Sequence, residues 1–227
     1  DHGLTDDHVV ASILNREALI DAFADVDAVV HLAGHSSERP WSDILSLNIG
    51  GTHTVLDSCV AAGVGRVLLA SSIHAVGYET AAATRHKQVI LPRPDTYYGV
   101  GKAATEALGS LFADRFGLTI VTARLCTFAE QPSIGRTLAT WLSPADTARL
   151  VNAVLRLESP GHRVVWGVSH NGADWFSLEE GRAMGFHPED DAVRWAEETR
   201  RDVTLPDDRQ LFAGVFVDQC HQLGGTW

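Results

Sequence analysis

Apolar residues along this chain gather into short continuous runs, separated by longer stretches with helical spacing. The runs are "HVVAS" (8–12), "DAVVHLAG" (27–34), "RVLLASS" (66–72), "LTIVTARL" (118–125) and "HRVVWGVS" (162–169). Runs of this length, apolar at nearly every position, read as strands covered on both faces. Between them lie helical patterns at 16–25, from Pro40 to a stop at Gly63, at 96–117 ending on Gly117, and at 143–159 opening on the N-cap residue Ser143. Shorter helical patterns follow at 176–183 and 188–199. Strand and helix in alternation predict an α/β fold, a parallel sheet with helices on both faces. A polar loop spans Glu79 to Asp95, and loops that long are commonly functional.

A length of 227 residues suffices for one core with a small appendage. A formal charge of −11 excludes a phosphate-backbone binder, since no basic patch is available to neutralise a duplex. No apolar run approaches the ~20 residues that cross a bilayer, so neither nucleic acid nor membrane is an expected partner. Cys59, Cys126 and Cys220 are odd in number and lack CxxC spacing. They fit a reducing, cytoplasmic setting, and Cys126 is expected to serve packing. No metal is expected: His31 and His35 straddle a strand end, and "PEDD" (188–191) reads as a solvated helix start. The chain opens Asp1-His2-Gly3 without methionine, so translation is expected to start upstream.

The chemistry is concentrated in "YYGVGK" (97–102), which holds one of only two lysines. In a helix Tyr98 and Lys102, at i and i+4, share a face. An ammonium beside a phenol favours the phenolate, which makes the tyrosine a candidate general base. Ligands of open α/β sheets collect beyond the carboxyl ends of strands. Ser71 and Ser72 end such a strand, so a hydroxyl and the phenol are placed to meet on one substrate oxygen. Taken by itself, the pair is also compatible with a solvent-facing ion pair on a helix.

Ser72 followed by Tyr98-x-x-x-Lys102 resembles the catalytic set of the extended short-chain dehydrogenases/reductases, the NAD-dependent epimerase/dehydratase family. "HLAG" (31–34), "NIGGT" (48–52) and "ASSIHAVGY" (70–78) agree with that family in order. More narrowly, "HLAGHSSERPW", "RPDTYYGVGK", "TARLCTFAEQPSIGRTLATWLSPAD" and "VVWGVSHN" resemble the uronate dehydrogenases. The resemblance implies a Rossmann-like doubly wound parallel sheet, one domain over 1–227, with smaller substrate-binding elements interleaved within 126–227. It implies NAD as cofactor, with NADP an open alternative, and a small sugar acid as substrate; a homo-oligomer is also open. Tyr98 would be the base, Lys102 would lower its pKa and hold the nicotinamide ribose, and Ser72 would bond the reacting oxygen. Leu32, Ala33, Gly34 and Asn48 would line the cofactor cleft. Ser36, His74 and Thr127 would lie on the sugar side, and Arg136 would grip its carboxylate. On the residues alone, Ser36 and His74 equally suit loop backbone bonding, and Arg136 equally suits a structural anion or carbonyl.

Three departures from the family pattern stand out. No glycine-rich turn of the G-x-G-x-x-G kind occurs in the sequence, so the sheet is expected to lack its first β-α-β unit, and NAD binding depends on whether residues upstream of Asp1 supply it. Ser12-Ile13 stands where an aspartate is expected near the adenine, and Ile73 where the uronate enzymes carry an asparagine. Two rival functions therefore stay open at this level. One is a non-redox or cofactor-free enzyme (epimerase, dehydratase, isomerase) using the same tyrosine, and the other a dinucleotide or ligand sensor.

Overall fold

A computed structural model describes residues 8–87 and 89–227. Its centre is a parallel sheet of four strands in the order β1-β2-β3-β6: β1 (Val29–His31), β2 (Arg66–Ser72), β3 (Thr119–Leu125) and β6 (Gly161–Gly167). Parallel neighbours need crossovers. The first is α2 (Trp41–Asp43), a π-helical segment (Ile44–Gly50) and α3 (Gly51–Ala62) in succession. The second ends in α5 (Tyr97–Phe116), and the third contains α7 (Pro144–Arg156). A short parallel pair, β4 (Thr127–Phe128) with β5 (Trp141–Leu142), brackets α6 (Thr137–Thr140).

Side-chain alternation along the strands sorts the helices onto two faces. Val67, Leu69 and Ile120 bury against Val55, Leu56 and Cys59 of α3 and Phe112 of α5, where α1 (Arg16–Ala22) adds Leu19. The intervening Leu68, Val121 and Ala123 meet Leu150, Ala153 and Val154 of α7. Phe186, which follows α8 (Glu179–Ala183), joins them. This is the expected doubly wound arrangement. A third cluster, Ile73, Trp166, Trp175, Phe176 and Phe212, ties the end of β6 to the later chain. Trp141 lies in a fourth, with Ala192 and Ala196 of α9 (Ala192–Glu198).

The local signals explain the element ends. Thr96 accepts from the Gly99 N–H to cap α5, and Ser143 accepts from Asp146 N–H with Pro144 at the first position of α7. Gly63 and Gly117 end α3 and α5 at φ +79° and +70°, a conformation that costs glycine nothing. Two expectations are corrected. Residues 8–12 form no strand: Val9 and Val10 are exposed, and no described segment offers them a ladder. Strand 27–34 contracts to Val29–His31, with Val30 and Leu32 exposed on the outer side of β1. The Glu79–Asp95 loop contains one helical turn, α4 (Ala81–Thr84).

Candidate active site

The carboxyl end of β2 runs directly into a 3-10 turn, Ile73–Val76, and that turn packs against the first turn of α5. Glycine makes the approach possible. A Cβ at Gly99 would overlap the His74 carbonyl, and one at Gly77 would overlap the Asp95 carboxylate. Backbone contact at this distance delivers Ser72, His74, Tyr98 and Lys102 to one place, and all four are buried.

Tyr98 and Lys102 do share the predicted helical face, but their contact differs from the expected one. The Lys102 ammonium lies 5.5 Å from the centroid of the Tyr98 ring and donates to the Ala70 carbonyl at 2.6 Å. Burial pulls Lys102 down to about 8. Tyr98 is pushed up rather than down: burial disfavours its anion most, the Ser72 hydroxyl opposes this, and the Asp95 carboxylate adds to the rise. The expected net lowering is not found, because a low-dielectric site penalises the phenolate.

His74 has a partner that the sequence did not announce. Its Nδ1 lies 2.6 Å from Asp95 Oδ2, and the Asp95 side chain is fully buried. With Nδ1–H donating to the carboxylate, Nε2 is the free ring nitrogen. The His74 and Tyr98 rings meet edge to face at 5.8 Å, and Phe216 packs on the imidazole at 4.0 Å. Ser71 points elsewhere: it donates to Glu106, which also takes a two-pronged bond from Arg124, all three distances being 2.8 Å.

The remaining sequence candidates fall into two groups. Leu32, Ala33 and Gly34 are exposed just past β1, with Gly34 at φ +142°, where a side chain is strained. Asn48, buried in the π-helical segment, accepts from His35 N–H at 2.9 Å and donates to the His35 carbonyl at 3.0 Å. Its role is to hold the loop after Gly34, so it shapes this edge through backbone. On the other side, Thr127 Oγ1 lies 2.9 Å from Thr140 Oγ1, and Thr140 donates to the Arg136 carbonyl. The Arg136 guanidinium bonds the Phe212 carbonyl through Nη2, while its buried Nε has no partner. Ser36 is exposed on the loop that precedes Glu38. Ile73 is buried in the aromatic cluster, so its side chain belongs to the core.

His31, at the end of β1, is buried and lies 3.1 Å from Thr52 Oγ1. Burial, then repulsion from Lys102, pulls it from 6.5 to about 4. The unfolded chain therefore binds this proton at a pH where the folded chain does not. Stability from this group is whole above pH 6.5 and is lost as pH falls toward about 4. Urea titrations at pH 7 and 4.5 are expected to differ by up to about 3 kcal/mol more in the wild type than in His31→Gln. Equal slopes in both proteins would remove His31 as the cause.

A cavity of about 860 Å³ opens between the residues around α4 and the β6 strand. It is lined by Glu106, Arg124 and Trp166 among others, without Ser72, Tyr98 or Lys102. The paired state of Glu106 and Arg124 leaves it no free acid or base of its own from that pair.

The chain is similar to proteins already known. The family model described as "NAD dependent epimerase/dehydratase family" matches residues 3–173. A uronate dehydrogenase of Pseudomonas syringae pv. tomato is 34% identical over 185 residues, 80% of this chain and 66% of that protein. One from Agrobacterium fabrum is 32% identical over 214 residues, 92% of this chain and 80% of that protein. The crystal structure of a uronate dehydrogenase from Agrobacterium tumefaciens, a tyrosine-to-alanine mutant complexed with NAD, superposes with a TM-score of 0.82 at 30% identity, covering 95% of this chain and 82% of that one.

Proposed function

Because this chain belongs to the NAD dependent epimerase/dehydratase family, we propose that it is an NAD-dependent dehydrogenase oxidising the ring hemiacetal hydroxyl of a hexuronic acid to the lactone. The observation that carries this reading is the convergence of Ser72, Tyr98 and Lys102 at the carboxyl end of β2. Among the relatives that cover most of the chain, several are named uronate dehydrogenases, which supports the substrate class, while others are named for glucose-6-phosphate and L-arabinose.

The residues present suit the nicotinamide end of the cofactor. Gly34 at φ +142° leaves the backbone past β1 without a Cβ, and Lys102 keeps two N–H donors beyond the one given to Ala70. Leu32, Ala33, Gly34 and Lys102 would hold that end. When bound, NAD supplies the hydride acceptor. The chain supplies the rest: Ser72 bonds the reacting oxygen, and Tyr98 takes its proton at the phenol oxygen. A positioned base of this kind contributes about 10²- to 10⁴-fold. His74, held in one tautomer by Asp95, presents Nε2 to a neighbouring sugar hydroxyl. In this reading Thr127 of β4 and Arg136, just before α6, lie on the sugar side.

Arg136 supplies the carboxylate specificity. Its unpartnered Nε is a buried donor, and a buried donor without an acceptor is costly. A guanidinium with an unpartnered N–H suits a carboxylate oxygen. Steady-state NAD reduction with glucuronate and galacturonate, set against glucose and arabinose, tests the reading. The acids are expected to turn over preferentially. Arg136→Met is expected to raise KM for the acids by about 10- to 100-fold and to leave neutral sugars unaffected. Neutral sugars oxidised as well as the acids by the wild type would overturn the substrate class.

A further inference from the structure

Glu38 is fully buried in the loop between β1 and α2, and no cation pairs with it among the described residues. An unpaired buried carboxylate is costly unless N–H groups surround it. Three do, from two distant parts of the chain. Oε2 accepts from Tyr98 N–H at 2.8 Å, while Oε1 accepts from Tyr97 N–H at 3.2 Å and from Gly224 N–H at 2.8 Å.

These bonds complete the first turn of α5. A helix opens with four N–H groups that lack partners inside it. Val100 N–H opens the regular ladder on the Thr96 carbonyl, which leaves Tyr97, Tyr98 and Gly99 within α5 itself, and the Thr96 hydroxyl takes Gly99 N–H. Tyr97 and Tyr98 remain, and among the described residues Glu38 takes both. A carboxylate is also stabilised at the positive end of a helix dipole. The same loop holds the last residues of the chain: Ser37 donates to the Trp227 carbonyl at 2.6 Å, and the Trp227 ring packs on Phe216, which lies against His74.

We infer that Glu38 is a positioning residue, holding the backbone of Tyr98 in register with Ser72 and making that register depend on the docked C-terminal tail. The catalytic meaning of this register rests on the dehydrogenase reading above; the anchoring itself does not. Three N–H groups on two oxygens leave no room for an amide. In Glu38→Gln the NH2 faces an N–H donor, so either Tyr98 or the Tyr97/Gly224 pair loses its acceptor.

The test uses the full-length protein with Glu38→Gln, and with Thr96→Ala as a matched lesion at the same helix end. Amide hydrogen exchange is measured at Tyr97, Tyr98 and Gly224, and kcat and KM for the hexuronate are measured in parallel. Glu38→Gln is expected to lower protection by about 10-fold at the helix start and at Gly224 together. Its kcat is expected to fall about 10- to 100-fold, with KM within about twofold of the wild type. Thr96→Ala is expected to lose similar stability, to leave Gly224 protection unchanged and to lose less kcat. Protection at Gly224 unchanged in Glu38→Gln would overturn the link to the tail. A kcat no lower than that of Thr96→Ala would overturn the positioning role. If the wild type itself oxidises no sugar acid, the dehydrogenase reading falls, and the exchange data alone uphold or overturn the anchor.

Discussion

Tyr98→Phe is expected to lower turnover by about 10²- to 10⁴-fold while the protein still folds and binds NAD. The substitution removes one oxygen from a side chain that is 7% exposed and leaves the ring against His74 and beneath the Lys102 ammonium. No backbone bond is lost, because Glu38 holds the amide rather than the phenol. The wild-type profile carries a second expectation. Burial raises the Tyr98 pKa, so on the proposed mechanism kcat/KM is expected to rise with pH. Lys102 loses its charge near pH 8, which withdraws support for the phenolate on the alkaline side. Steady-state kinetics across pH, with NAD binding followed by fluorescence quenching, provide the measurement. Wild-type turnover in Tyr98→Phe would show that another group takes the proton. Loss of turnover together with NAD binding would point to collapse of the cleft instead.

The second large effect concerns stability. Arg124→Met is expected to destabilise the fold by about 3–5 kcal/mol in urea unfolding. Arg124 and Glu106 are 5% and 6% exposed, and both Arg124 donors in the pair reach the carboxylate at 2.8 Å. Removing the arginine leaves a carboxylate with the Ser71 hydroxyl as its remaining side-chain donor among the described residues, and uncovers the face of Trp166, 5.6 Å from the guanidinium. The cost comes mainly from the abandoned charge. The double variant Arg124→Met/Glu106→Met is therefore expected to recover most of the loss. A single-variant loss below about 1 kcal/mol would place the pair in the class of solvated surface bridges.

Much of the scaffold was legible because its signals are local. β2 occupies 66–72 as its apolar run predicts, and α5 lies between the Thr96 cap and the left-handed Gly117. The Tyr98–Lys102 juxtaposition also follows from helix periodicity alone. Strand 8–12 failed for a complementary reason: a run of apolar residues becomes a strand only where a neighbour supplies the ladder, and its composition says nothing about that neighbour.

The groups that tune the site were hidden. His74 meets Asp95 across 21 residues, Glu106 meets Arg124 across 18, and Glu38 meets Tyr98 across 60 and Gly224 across 186. Each of these carboxylates taken singly is an ordinary polar residue in a loop or helix. The direction of the Tyr98 shift was hidden too, since charge proximity can be read from spacing but burial cannot.

By itself, then, the sequence determined the α/β order, the helix ends and the side-by-side tyrosine and lysine, because periodicity and capping act within a few residues. Tertiary structure alone decided which carboxylates are buried, what compensates them and how hard the phenol is to ionise. Those depend on desolvation and on partners brought from elsewhere in the chain, and neither exists until the chain has packed.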